Sequence, residues 1–420
     1  MRKLHNNCSA QEWLDFYFRV NSYSYDFKEF LKIFRSRFSR FDCLVITVGG
    51  TNGKGSCVAA LSAIYKQAGY RVAAYTSPHL MSVHERLLID GKPLSDAVWS
   101  KALAWVNTLP FPGSIFAVKT LAALFICQQY ELDCMILEVG LGGRFDPVNA
   151  VSSDLAIVTQ IAKDHTNRLG HTLDEIAYHK SGIFKSNRIA LIGDSEHGEL
   201  LVNQARSIGA YIECIGEDFN LSVKDGDWTF CNAKFSCSFR GKLPISPASA
   251  ATALQAVFRL QHQLPVSFSV IERAFNTLSL PGRQAQALWH GPVWLDVCHN
   301  PSAFASMVQR LQDERCQKIT WVLGIKRDKD LTGCLSEIIP IADVIYVVSD
   351  LEDMHQYPDV RSTAINLGYP QENVRKLPRV GLMKALCRLS HPEHTLVICG
   401  SFLLVGMVKQ EWRQGFACVL

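Results

Sequence analysis

The sequence predicts an α/β protein of two domains, and three observations carry that prediction. Short apolar runs such as "CLVITV", "CMILEVG" and "LAIVTQI" alternate with helix-length segments from Cys43 to about Val158, the pattern of a mostly parallel sheet covered on both faces. Between Glu213 and Arg240 the pattern changes to strand-like pieces broken by Asp-Gly and Asn turns, "FNLSVKDGDWTFCNAKFSCSF", a small antiparallel meander. Beyond "LPGRQ" at 280–284, which reads as a hinge, the alternation resumes in "VWLDVCHNP", "KITWVLGI", "ADVIYVVSD" and "TLVICGS". This is a second, smaller, doubly wound unit. The expected domains are 1–282 and 283–420.

Composition bounds the function. The 420 residues suit two or three domains, and 48% hydrophobic with 20% charged residues is an ordinary globular balance. A net charge of +4 with no long Lys/Arg run argues against nucleic acid and leaves room for an acidic small substrate. The 14 cysteines include no C-x-x-C pair and lie in apolar stretches, as buried reduced thiols of a cytoplasmic protein do. No apolar run reaches the roughly 18 residues of a membrane span, and the start, "MRKLHNNCSAQEW", has no signal-peptide core.

The first strand runs into "VITVGGTNGKGSC". A Walker A loop reads G-x-x-x-x-G-K-[ST]; here Val48 stands at the first glycine position and Gly55 follows Lys54. The order strand, glycine turn, lysine, helix still suits an anion, because Gly49, Gly50, Gly53 and Gly55 free the backbone and a helix N-terminus follows. Thr51 and Asn52 lie within the turn, Lys54 adds a cation, and Ser56 offers a hydroxyl to a metal. A tight structural turn is the alternative.

The next strand, "RVAAYT", ends at "SPHL", so Ser77 lies at a strand end. "LEVGLGGRFDPVN" (137–149) places Glu138 at the carboxyl end of an apolar strand, where open α/β sheets bind ligands and a carboxylate can hold Mg²⁺; capping of the glycine turn is the other reading. "TQIAKDHTNRLG" (159–170) puts His165 past a third strand, as a ligand or a structural histidine. Lys180 falls in the helical run "TLDEIAYHKSGIFK", where spacing alone suggests a solvated surface lysine. In the second unit, Asn300 can cap a helix that starts at Pro301.

Together "GGTNGKGS", "TSPHL", "LEVGLGGRFDPVN", "KDHTNRLG", "HKSGIFK", "LPGRQ", "DVCHNP", "KRDKD" and "CGSF" stand in the order seen in the folylpolyglutamate synthase/dihydrofolate synthase family, the folate branch of the Mur ligases. The resemblance spans residues 10 to 410, and it answers the Walker mismatch, since that family uses a shorter loop with Gly after the Lys. It implies a P-loop-type N-terminal domain and a Rossmann-like C-terminal domain. The implied activity is ATP-dependent ligation of L-glutamate to dihydropteroate, or to the glutamyl tail of folates, through an acyl phosphate. The cofactors are ATP and one or two Mg²⁺ ions, in a monomeric enzyme.

The resemblance also implies roles. Gly50 to Ser56 and Lys54 hold phosphates. Ser56, Ser77, Glu138 and His165 surround Mg²⁺, with His165 and Lys54 in catalysis. Lys180 matches a lysine carbamylated in many members, and a carbamate beside Mg²⁺ is more favourable than an ammonium. Phe116 and Asp146 match pterin-side residues. Arg283, Asp296, His299 and Asn300 face the nucleotide, Lys329 and Asp330 match the family's "DKD", and Ser401 lines the glutamate site. Three departures stand out: Ala117 for the usual Glu, His179 for the Glu before the modified lysine, and Ser249 for an Asn near the adenine. A cell-wall precursor ligase and a non-catalytic ATP-binding relative are the alternative functions. Only about 45 residues precede the loop, too few for the nucleotide-sugar domain of the former.

Overall fold

Leu44–Gly49 reads LVITVG, an aliphatic and β-branched run buried from Val45 onward, and forms the strand β1 at the heart of the N-terminal unit. The computed structural model describes residues 8–20, 25–111, 113–224, 226–241, 243–278, 280, 282 and 285–413. The chain divides into two compact units, Met1–Leu278 and Ser279–Leu420. The expected boundary at 282/283 falls a few residues further on, and the expected hinge residues Pro281, Arg283 and Gln284 lie outside the described residues.

The N-terminal sheet has eight strands. They are β1, β2 (Val72–Tyr75), β3 (Leu87–Ile89), β4 (Lys92–Pro93), β5 (Cys134–Glu138), β6 (Leu155–Val158), β7 (Ile189–Ile192) and β8 (Tyr211–Cys214), in the order β4-β3-β2-β5-β1-β6-β7-β8. From β2 to β8 every pairing is parallel, and β3 and β4 add an antiparallel edge. The order of β2, β5, β1 and β6 matters for function, because their carboxyl ends lie side by side. A three-stranded antiparallel sheet follows, made of β9 (Phe219–Lys224), β10 (Asp227–Asn232) and β11 (Ser236–Phe239).

The meander therefore starts at Phe219 rather than Glu213. Tyr211–Cys214 is a half-exposed edge strand of the parallel sheet, so it lacks the continuous apolar run that marks buried parallel strands. The helix expected from Pro247 to Gln263 runs from Pro247 to Arg259, with Ser246 as its N-cap.

The C-terminal sheet has the order β12-β13-β17-β14-β15-β16. Its strands are β12 (Ala285–Leu288), β13 (Pro292–Asp296), β14 (Ile319–Leu323), β15 (Ala342–Ser349), β16 (Val374–Pro378) and β17 (Thr395–Cys399). Only β12 pairs antiparallel. β16 was not expected from the sequence; alternate exposure of its residues hides it in the same way as β8. The described cysteines are free thiols except Cys387, which is disulfide-bonded, against the expectation. No helix among the described residues is long and apolar enough to cross a membrane.

Candidate active site

Four neighbouring strand ends build the site. After β1 the chain turns through Gly50 (φ 136°) and Gly53 (φ 86°), conformations that favour glycine. Gly50 also has no room for a side chain, since a Cβ there would lie 1.9 Å from Thr159 Oγ1. The helix Lys54–Gln67 then starts with Gly53 as its N-cap and no side-chain cap. Its first turn thus presents backbone amides, the arrangement that suits an anion.

Past β6, Thr159 and Thr51 hold this loop in shape. Thr159 Oγ1 donates to the carbonyls of Gly49 (3.1 Å) and Asn52 (2.7 Å). Thr51 N–H donates to Gln160 O at 2.7 Å, and Thr51 Oγ1 donates to Ala162 O and accepts from Ala162 N–H. Sequence reasoning passed over Thr159, although it opens the quoted "TQIAKDH" stretch; a threonine directly after a buried strand and facing a glycine turn was the available signal.

Lys54 and Lys180 meet at the loop. Lys54 Nζ donates to the carbonyls of Gly50 and Thr51, both at 3.0 Å, and Lys180 Nζ donates to Gly50 O at 2.8 Å. Lys180 is 4% exposed, not a solvated surface lysine. Its helix, Leu173–Ser181, is fixed by a capping box of Thr172 and Glu175. The helix also lies tight on the 140–146 loop, where a Cβ on Gly143 would come within 2.8 Å of the His179 and Lys180 carbonyls. Burial, and then the Lys54 charge, pull the Lys180 pKa down from 10.5 to about 7, against the opposing effect of Asp164. His179 is also held below its ordinary value, by burial first and then by Arg144 and Lys180.

The acidic side of the site comes from β5. Glu138 is 2% exposed and accepts the Ser77 N–H at 3.0 Å. It also lies near the helix start, 3.9 Å from where a Gly55 Cβ would be. Ser56 is in the first turn of that helix. His165 takes a left-handed conformation (φ 50°) ahead of the short helix Thr166–Leu169, with Nε2 at 3.9 Å from Asp164 Oδ2. A glycine turn with a free helix start, two lysines, a buried carboxylate and a serine amide fit a polyphosphate with a hard divalent cation.

Phe116, on the helix Ile115–Cys127, and Asp146, after β5, meet at Gly140. The Phe116 ring lies where a Gly140 side chain would be, 2.5 Å from that Cβ position, and its centroid is 6.2 Å from the Tyr75 ring. Asp146 is buried and accepts the N–H groups of Gly140, Leu141 and Val148. Burial pushes its pKa up to about 7, while those three bonds and Lys54 act the other way. Ser249 is buried, accepts from Ser246 Oγ at 2.8 Å, and would lie 2.8 Å from a Cβ on Gly53. The departure from Asn thus sits directly against the loop.

In the C-terminal unit the expected ligands hold structure. Asn300, 2% exposed, caps the helix Pro301–Asp313 by accepting the Ala303 N–H at 3.0 Å, as the sequence suggested. Ser401 Oγ accepts the Leu404 N–H at 3.1 Å at the start of the helix Phe402–Arg413, and Asp330 caps Leu331–Ile338. Asp296 Oδ1 accepts the Cys298 N–H at 2.6 Å, and His299 Nδ1 lies 2.8 Å from Val297 O. Asp296 pairs in register with Cys399, so the ends of β13 and β17 adjoin. Arg283 lies outside the described residues.

Residues 48–218 match the Mur ligase middle domain, and residues 285–402 match the Mur ligase glutamate ligase domain. The dihydrofolate synthase/folylpolyglutamate synthase of Escherichia coli K12 is 35% identical over 372 residues, 87% of this chain and 86% of that protein. E. coli FolC in complex with DHPP and ADP superimposes with a TM-score of 0.87 at 30% identity, covering 98% of this chain and 99% of that one. The Yersinia pestis bifunctional enzyme complexed with AMPPNP and Mn ion reaches a TM-score of 0.91 at 29% identity, covering 98% and 100%. The order of motifs, the four adjacent strand ends and these matches lead to one assignment: the chain belongs to the dihydrofolate synthase/folylpolyglutamate synthase family of Mur ligases.

Proposed function

We infer that this chain is an ATP-dependent ligase forming a C–N bond between L-glutamate and the carboxyl group of dihydropteroate, of a folate glutamyl tail, or of both, in folate metabolism. The observation that carries the reading is the meeting of Lys54 Nζ and Lys180 Nζ at the Gly50 carbonyl, with the buried Glu138 on the next strand end. Lys54 and the loop amides bring positive charge to where phosphoryl transfer needs it, with positioning in place of covalent chemistry.

ATP with Mg²⁺ supplies the phosphoryl group that turns the acceptor carboxylate into an acyl phosphate. Lys54 and the amides of Gly50 to Ser56 hold the phosphates. Glu138, Ser77, Ser56 and His165 hold the metal. Phe116 offers a ring face to a flat pterin, and Asp146 stands beside it. Asp296, His299 and Asn300 serve the nucleotide and Ser401 the glutamate, with Arg283 as the further nucleotide contact; the family resemblance supports these roles.

Lys180 is carbamylated in the working enzyme. Carbamate forms only from the neutral amine, and a pKa drawn down to about 7 leaves that form well populated at neutral pH. His179, itself held below its ordinary pKa, adds no standing positive charge beside it. The chain acts as a monomer in the cytoplasm.

The test is ADP release and product formation with glutamate and, in parallel, dihydropteroate and tetrahydrofolate. Glutamate-dependent ADP release with at least one pterin substrate is expected, and the pair of rates tells which acceptor is used. ADP release with neither, by a chain that binds ATP, would overturn the assignment.

A further inference from the structure

Beyond the carboxyl end of β2 the N-terminal unit holds three cationic or proton-donating side chains with no carboxylate among them. Arg86 is 7% exposed, and its Nη1 is shut off from solvent without a hydrogen-bond acceptor. Its Nε donates to His79 Nδ1 at 2.9 Å, which leaves the His79 proton on Nε2. Its Cζ lies 6.0 Å from the Phe116 ring centroid. Lys119 stands one turn beyond Phe116 on the helix Ile115–Cys127 and makes no hydrogen bond or ion pair to a described residue.

The nearby carboxylates are spent elsewhere. Glu85 accepts the N–H groups of Leu80, Met81 and Ser82, and Asp146 accepts those of Gly140, Leu141 and Val148. At position 117, where the resemblance leads to a Glu, the chain has a fully buried methyl group. The charge acting on Lys119 is accordingly positive. Burial, then Arg86, pull Lys119 down to about 7. A half-buried group of cations with one guanidinium nitrogen left unsatisfied is unfavourable alone and favourable around an oxyanion.

We propose that His79, Arg86 and Lys119 form an anion subsite beside Phe116 that takes one carboxylate or phosphate group. Arg86 and Lys119 supply the charge, and His79 Nε2–H adds a neutral donor. The anion is either a tail carboxylate of the acceptor substrate or a free anion. Only the first of these rests on the proposed function.

The test reads thermal stability against acetate and inorganic phosphate, with chloride at equal ionic strength as reference, in the Lys54→Ala chain so that the loop lysine is silent. A saturable rise in Tm is expected, with Lys119→Gln in that background needing about tenfold more anion for the same rise. No saturable rise, or the same titration in the presence of Lys119→Gln, overturns the proposal. Arg86→Gln should repeat the loss; if it does not fold, Lys119→Gln decides alone. The source follows from kinetics of Lys119→Gln with Lys54 intact. A KM rise confined to tetrahydrofolate monoglutamate, sparing dihydropteroate, assigns the anion to a tail carboxylate. KM values unchanged or moved equally assign it to a free anion. The anion titration holds even for a chain that turns over neither substrate.

Discussion

The two units treat their motif residues differently. In the N-terminal unit the marked residues converge with little structural duty: Lys54 and Lys180 on one carbonyl, Ser77 on Glu138, Phe116 over Gly140. In the C-terminal unit Asn300, Asp330 and Ser401 each cap a helix. A motif residue at a helix start therefore has two reasons to be there, and a substitution does not separate them. A lysine that caps no helix has one.

The sharpest break between the units is Lys54→Ala. Turnover should fall by roughly 10²–10³, the usual cost of one charged transition-state contact, while Tm stays near that of the parent. Near-normal ADP release by the folded variant would remove the loop from the chemistry.

Lys180→Ala should lose about 10² in rate by the same kind of contact and recover partly with added acetate, which replaces the missing anion. Mass spectrometry under bicarbonate, or density beyond Nζ in a crystal grown with it, checks the carbamate directly; an unmodified Nζ in an active, Mg-nucleotide-bound crystal counts against it.

Stability against pH sharpens the contrast further. The Lys180 pKa falls from 10.5 unfolded to about 7 folded, so between those values the unfolded chain holds the extra proton and stability rises with pH. The penalty is complete below about pH 7. Lys180→Met in bicarbonate-free buffer should therefore raise Tm most at pH 7 and below, with the gain fading toward pH 10. A gain independent of pH would mean that burial does not perturb this lysine.

The smallest expected effect lies in the other unit. Asn300→Ala should cost about 1 kcal/mol of stability, as lost N-caps do, measurable by urea unfolding. Asn300→Ser, which can still cap, should regain most of it. Activity that stays low in the serine variant would separate a nucleotide role from the cap.

Much of this was legible in the residues. Continuous apolar runs gave the central strands, because a strand buried on both faces must be apolar throughout. Glycines with a lysine gave the loop, and Asn300–Pro301 gave a helix start. What stayed hidden is relational. β8 and β16 are half-exposed and lack that run. Lys180 looks like a surface lysine by spacing, and its burial follows from contacts distant in sequence, its helix on Gly143 and its Nζ on the Gly50 carbonyl. Thr159 acts through carbonyls on another strand end. The unpaired state of Arg86 depends on where Glu85 and Asp146 send their carboxylates, which no local pattern records.

Everything proposed for this chain depends on phosphate being handled at the loop after β1, with Lys54, Lys180 and Glu138. The most direct test is a crystal structure with Mg-AMPPNP. The polyphosphate is expected against the Gly50–Ser56 amides, with Lys54 Nζ moved from the Gly50 and Thr51 carbonyls onto a phosphate oxygen and the metal within reach of Glu138 and Ser77. Polyphosphate bound elsewhere, with Lys54 still on those carbonyls, would contradict it.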